Sequence, residues 1–191
     1  MTAVSDSDSE ERMIIALDVL QAMRGDNQAF ERLVDRFDRR LLYYVQRMVD
    51  DPHSARDIVQ ETWINAFRSL PRLRDAQAFR SWLYRIAHGF LAKRLQLQYK
   101  RRETKEPTSD IAEHSSDELE FQADQATMIH AALGHLAPTH REVLLLRFME
   151  DFSINDIALA LEVPAGTVKS RLHHAKLALK SLLSYSNEDL R

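Results

Sequence analysis

The chain has 191 residues, 45% of them hydrophobic, with four Gly, five Pro, no Cys and a net charge of −3. The absence of Cys excludes disulfides, thiolate metal sites and thiol catalysis. The scarcity of Gly and Pro, with no useful strand-like alternation, predicts an all-α protein.

Residues 1–25 read as an acidic N-terminal extension. Positions 1–12 carry four acids against Arg12, with neither the basic start nor the apolar stretch of a signal peptide. No apolar run approaches the ~20 residues needed to span a bilayer. The expected location is the cytoplasm, without membrane insertion.

A first helical module is expected over 26–102. It opens with "NQAFERLVDRFDRRLLYYVQRMV", where Phe30, Leu33, Val34, Phe37, Leu41, Val45 and Met48 form a core-facing stripe. After "DDPHSA" comes "RDIVQETWINAFRSL". Val59, Trp63, Ala66 and Leu70 line its inner side, while Asp57, Gln60, Glu61, Ile64 and Arg68 lie opposite. Polar residues at i, i+3 and i+4 suit a solvated face, but no core requires an Ile among them. An apolar centre with a charged rim suits a protein–protein contact, although single exposed apolar residues are common on any surface.

The next segment, "AFRSWLYRIAHGFLAKRLQLQYKRR", turns Phe79, Leu83, Ile86, Ala87 and Phe90 inward and spreads Tyr84, Arg85, His88, Arg94 and Tyr99 elsewhere. From Arg80 to Arg102 there are seven basic side chains and no acid. Residues 13–102 hold 17 basic and 10 acidic groups, a local +7 despite the negative total. Such a stripe binds phosphate through its local field and counterion release. Interleaved aromatics suit single-stranded DNA, whose bases stack on rings. The bland alternative is a solvated basic helix face, with Trp82 as an ordinary core residue.

Residues 103–124 carry eight acids against Lys105 and read as a flexible linker. A coil of ~22 residues spans roughly 25 Å on average and about 70 Å drawn out, so the modules it joins could touch separate sites on one DNA. The second module is expected over 125–184, with 185–191 as a C-terminal tail. In "FSINDIALALEVPAGTVKSRLHHAKLALK", Ser153 is the expected N-cap of a short helix and Pro164 starts the next. Val168, Leu172, Ala175, Leu179 and Leu182 form one apolar stripe. Gly166, Lys169, Ser170, His173, His174 and Leu177 point the other way. The pair is either an ordinary helical hairpin or a helix-turn-helix whose second helix enters a major groove, and the small cationic outer face favours the second.

Taken in order, "DIVQETWINAF", "AFRSWLYRIA" and "GTVKSRLHHAK" resemble the bacterial extracytoplasmic-function sigma factors, the small members of the sigma-70 class. The resemblance runs from about Ala29 to Leu183 apart from the linker. It implies two small helical domains, sigma region two and a helix-turn-helix region four, in a transcription initiation factor with no catalytic residues and no cofactor. The implied partners are core RNA polymerase (beta-prime clamp helices and beta flap), promoter DNA and, as a further candidate, an anti-sigma factor.

By resemblance, Asp57, Gln60 and Glu61, with Ile64 and Arg68 on the same face, would meet the clamp helices. The loop "PRLRDAQ", with Arg72 and Arg74, would hold an extruded base, and Arg80, Tyr84, Arg85, His88, Lys93 and Arg94 would serve the minus-ten element. Thr167, Lys169, Ser170, His173 and His174 would contact the minus-thirty-five element; Arg171, at the flank, would brace the domain or meet phosphate. The chain departs from the family pattern at His88, Gly89 and Lys93, where an Arg-Asn step and a later Asp or Asn are usual.

The alternative function is a helix-turn-helix regulator that binds duplex DNA without polymerase, which leaves the Asp57–Arg68 face unexplained. An enzyme is disfavoured, since the eight His are scattered and no Gly-rich phosphate loop or nucleophile–base spacing is present. No metal ligand set is expected; His130, His135 and His140 are read as surface residues.

Overall fold

A computed structural model of the chain describes residues 3–49, 51–103 and 131–188. Its helices are α1 (Ala3–Met23), α2 (Asn27–Met48), α3 (Pro52–Ser69), α4 (Phe79–Glu103), α5 (Pro138–Phe148), α6 (Ile154–Leu161) and α7 (Ala165–Glu188). Two 3₁₀ turns, Leu70–Arg72 and Ala76–Ala78, join α3 to α4, and a helical turn at 131–134 precedes α5. No strand occurs among the described residues, nor any helix long and apolar enough to cross a membrane.

Local chemistry sets these boundaries. The Asp26 carboxylate accepts from the backbone N–H of Gln28 and Ala29 at the start of α2. Asp51 does the same for His53 and Ser54 in α3, where Pro52 takes the first turn. Each cap satisfies N–H groups that have no helical acceptor, worth about 1 kcal/mol. Gly25, at φ +94°, allows the chain to turn from α1 into α2. Ser153 caps α6 as expected, through a reciprocal bond pair with Asp156.

The α2 stripe is buried or half-buried throughout, and α3 turns Val59, Trp63 and Ala66 inward as its spacing predicts. The N-terminal stretch departs from its expected place as an extension outside the first module. It folds as α1, with Ile15 and Val19 buried in the shared core and Asp18 paired to Arg32 of α2 at 2.8 Å. The expected linker lies outside the described residues, apart from Glu103 at the end of α4. The expected tail is helical as far as Glu188.

Both expected helical modules are present, and they pack against each other. Buried residues from Leu33 to Ala175 form one continuous core. Tyr84 of α4 joins its halves, with its ring centroid 5.2 Å from that of Tyr44 and 5.1 Å from that of Phe152. α4 therefore has two apolar sides, and α6 packs against it.

Candidate functional site

On α3, Asp57, Gln60, Glu61, Ile64 and Arg68 are all exposed. Trp63 anchors the opposite side, its indole N–H donating to Asp38 at 2.9 Å and its ring meeting Phe30 edge-on. Phe67 adds to the face, 54% exposed beside Ile64 at 43%. Its ring also leans edge-on against Phe30, 5.0 Å between centroids. The sequence signal for Phe67 is its i+3 spacing from Ile64, which extends the apolar centre of this face beyond the single Ile expected there.

The loop after α3 is shaped by Asp75, whose carboxylate accepts from Gln77 N–H at 2.9 Å. Arg72 and Arg74 are exposed and line a cavity of about 330 Å³ with Leu73, Asp75, Ala78, Ser81, Trp82 and Arg85. Leu159 of α6 completes the wall. Trp82 is half-buried, so it is neither a fully enclosed core residue nor a free stacking ring.

The basic face of α4 is not open as expected, because the second module lies on it. Arg80 donates to the Glu150 carbonyl at 2.6 Å and stacks over the Phe152 ring at 5.0 Å. Ser81 donates to Asp156 at 3.2 Å. Arg85 stands 3.8 Å from Glu162. His88 meets Glu142 at 2.7 Å. Tyr84, expected among the DNA-facing residues, is fully buried; its large apolar ring gains more between Tyr44 and Phe152 than in water. Lys93 and Arg94 remain exposed, with Arg94 donating to the Ser54 hydroxyl.

Buried acids concentrate at this joint. Glu142, 4% exposed, accepts on one oxygen from the Tyr44 hydroxyl at 2.6 Å and from His88 Nδ1 at 2.7 Å. The bond from Glu142 holds the His88 pKa above its ordinary value, with Glu142 and Glu162 adding charge attraction and burial opposing it. Glu150 stands 3.3 Å from Arg40, yet burial pushes its carboxyl upward. Burial also pushes the Tyr44 and Tyr84 hydroxyls well above the usual phenol range, with Glu142 and Glu150 respectively adding to it.

In the second module, Glu162 ends α6 in the left-handed region at φ 53°, and the Pro164 carbonyl accepts from Thr167 and Val168 to start α7. Val168, Leu172 and Ala175 are buried, with Leu179 and Leu182 half-buried. Lys169, Ser170, His173 and His174 are exposed on the other side, and Thr167 and Arg171 are half-buried at its flanks. The His174 ring stacks on His140 of α5 at 6.4 Å and meets His173 edge-on. No cluster of three metal-ligating side chains occurs among the described residues.

A groove of about 490 Å³ lies between α5 and α7, lined by Leu133, Leu144, Leu145, Phe148, Met149, Leu179 and Leu183, with Lys176 and Lys180 at its edge. Phe148 is 56% exposed beneath the Lys176 ammonium. The groove is not legible from the α7 stripe alone, because Leu179 is only half-buried and the facing wall comes from α5.

Residues 33–105 match the family model of Sigma-70 region 2, and residues 126–179 that of Sigma-70, region 4. The chain is 32% identical to the RNA polymerase sigma-H factor of Pseudomonas aeruginosa, over 86% of this chain and 91% of the relative. It is 26% identical to the ECF RNA polymerase sigma factor SigW of Bacillus subtilis, over 90% and 97%. With the ECF RNA polymerase sigma-E factor of Escherichia coli K12 it shares 30% identity, over 84% and 90%. Its fold is similar to that of CnrH, solved in complex with the cytosolic domain of CnrY, with a TM-score of 0.67 at 22% identity over 90% of this chain and 98% of that one. It is also similar to the sigma factor RpoE of Bartonella quintana, solved with the anti-sigma factor NepR, with a TM-score of 0.68 at 20% identity over 81% and 96%.

Proposed function

Because the chain belongs to the sigma-70 family, among its extracytoplasmic-function sigma factors, we propose how its surfaces divide between core RNA polymerase and promoter DNA. The chain is an alternative sigma factor that directs core polymerase to promoters and starts transcription there; it contributes binding and melting rather than catalysis. The exposed α3 face, charged at Asp57, Glu61 and Arg68 with Ile64 and Phe67 at its centre, takes the beta-prime clamp helices. The observation that carries this reading is that face joined to two matched regions in one chain; a duplex-binding regulator has no use for it.

The cavity at Arg72 and Arg74 receives an unstacked base, and the α4 side chains Arg80, Arg85, His88, Lys93 and Arg94 serve the melted minus-ten strand. The α7 face of Lys169, Ser170, His173 and His174, flanked by Thr167 and Arg171, enters the major groove of the minus-thirty-five element. The apolar groove rimmed by Lys176 and Lys180 accepts an amphipathic helix, and the beta flap is its polymerase occupant. An anti-sigma factor is a further candidate partner, as one fold neighbour, the RpoE of Bartonella quintana, was solved with such a protein.

Co-purification with core polymerase, followed by transcription from a promoter library, tests the reading. Promoter-dependent transcripts are the expected result. Tight duplex binding by the isolated chain with no affinity for core would replace it with the regulator reading.

A further inference from the structure

We propose that α1 is the seam of a homodimer, its outer face pairing antiparallel with the same face of a second copy of this chain. The pairing does not depend on the sigma-factor reading above.

α1 is apolar on two sides. Ile15 and Val19 enter the core, and Asp18 between them pairs with Arg32 of α2. The opposite side carries Met13, Ile14, Leu17 and Leu20, each between 44% and 73% exposed. At about 100° per residue these four fall on one stripe centred on Leu17. A lone exposed apolar residue is ordinary. Four gathered over about two turns of one helix form the kind of patch that marks an interaction site.

The residues that end the stripe select its occupant. Glu10 precedes Leu17 by seven positions and Arg24 follows it by seven, about two turns each way on the same face. Both are exposed, and no ion pair among the described residues engages either. Glu11, by contrast, is turned to Arg36 of α2 at 3.8 Å. Ile14 and Leu20 stand three positions to either side of Leu17. Reversed end for end, the face is therefore its own complement. A twofold axis near Leu17 sets Ile14 on the partner's Leu20 and Glu10 on the partner's Arg24, each contact made twice.

Charge fixes the orientation, because a parallel pair would set Glu10 on Glu10 and Arg24 on Arg24. A contact of this isologous kind closes on itself as a dimer. A lipid surface suits the stripe poorly: four acids lie within positions 1–12, and anionic headgroups would repel them. From Glu10 to Arg24 the seam is roughly 20 Å long. That is a small contact, so a dimer with a dissociation constant of roughly 10–100 µM is expected.

Sedimentation velocity of the full chain across that concentration range reads the dimer. Leu17→Glu changes an exposed position and leaves the Ile15 and Val19 side alone, so it should abolish association while circular dichroism stays native. Glu10→Arg alone sets like charges together, as does Arg24→Glu alone, and each should weaken the dimer about tenfold. An equimolar mixture of the two single variants, or one chain carrying both changes, restores opposite charges at both contacts and should recover native association. Dimers that survive Leu17→Glu, or single-variant losses that neither the mixture nor the double variant repairs, overturn the seam. A native chain that stays monomeric throughout also overturns it, and loss of core-polymerase binding by Leu17→Glu would then give the stripe to polymerase instead.

Discussion

Nδ1 of His88 lies 2.7 Å from a carboxylate oxygen of Glu142, a residue 54 positions away in the other module. A carboxylate only accepts, so the imidazole donates in either charge state. The protonated ring makes the stronger bond, and the bond raises the His88 pKa above 6.5. Glu162 adds to the shift, while burial and Arg171 oppose it.

The packing of the two modules against each other should therefore depend on pH. A raised His88 pKa contributes stability that is complete below the unperturbed value of 6.5 and is lost as pH rises through the raised value. Glu150, raised from 4.5 by burial, acts in the same direction in a more acidic window, so the two are separable. The population with separated modules should therefore grow as pH rises above 6.5. Inter-module distance measured across that range checks it, with His88→Gln as the control whose pH response should be flat. A native profile equally flat would remove His88 from the contact that holds the modules together.

The α3 face should behave as a contact surface. Asp57→Lys with Glu61→Lys leaves the buried Val59, Trp63 and Ala66 side untouched, so stability should change by about 0.5 kcal/mol or less. Core affinity should fall roughly tenfold or more, as reversed charges meet a complementary partner. Ile64→Ala should weaken core binding with the fold kept, while Phe67→Ala should also cost about 1 kcal/mol from its edge contact with Phe30. Binding to core and thermal melts of each variant decide it. Native affinity in the double charge reversal would take the clamp contact away from this face.

Much of this was legible in the sequence, because periodicity reports burial directly. The Val59/Trp63/Ala66 side of α3 and the Val168/Leu172/Ala175 side of α7 follow from i, i+3, i+4 spacing alone, and Ser153 announces its helix by composition. What stayed hidden depends on contacts distant in sequence. Tyr84 and Arg80 have the chemistry of a nucleic-acid face, and nothing local says that Phe152 and Glu150 will occupy them. Glu142 reads as a surface acid until Tyr44 and His88 are brought to it across the fold. α1 has a local signal, since Ile15, Val19 and Ala22 are spaced as one helix stripe, but that stripe is short and follows an acidic, polar start.

The groove between α5 and α7 gives a separate expectation. Phe148→Ser exchanges an exposed ring for a small polar group, so the fold should survive with a change of about 0.5 kcal/mol or less. Transcription in the presence of core should drop severalfold, through loss of an apolar anchor at a helix-binding trough. Duplex binding by α7 should be unchanged, because Phe148 lies outside the recognition face. Full transcription by Phe148→Ser would empty the groove of its proposed occupant.

The recognition helix offers the sharpest separation of roles. Lys169, Ser170, His173 and His174 are exposed, whereas Leu172 is 8% exposed within the stripe that packs α7 on its module. Lys169→Ala should remove either a base contact, costing about 1–3 kcal/mol at matched promoters, or a phosphate contact, lowering the salt slope by about one unit. A salt titration distinguishes these. His173→Ala and His174→Ala should shift preference among minus-thirty-five variants more than overall affinity, because a neutral imidazole both donates and accepts toward base edges. His174 also stacks on His140, so its loss should loosen the α5–α7 contact slightly while His173→Ala leaves it intact. Leu172→Ala should instead cost about 2–5 kcal/mol and unfold the module. Transcription from a matched promoter set, with a melt for each variant, reads both effects. Unchanged promoter choice in the outward variants beside a harmless Leu172→Ala would mean that the helix presents its other face to DNA.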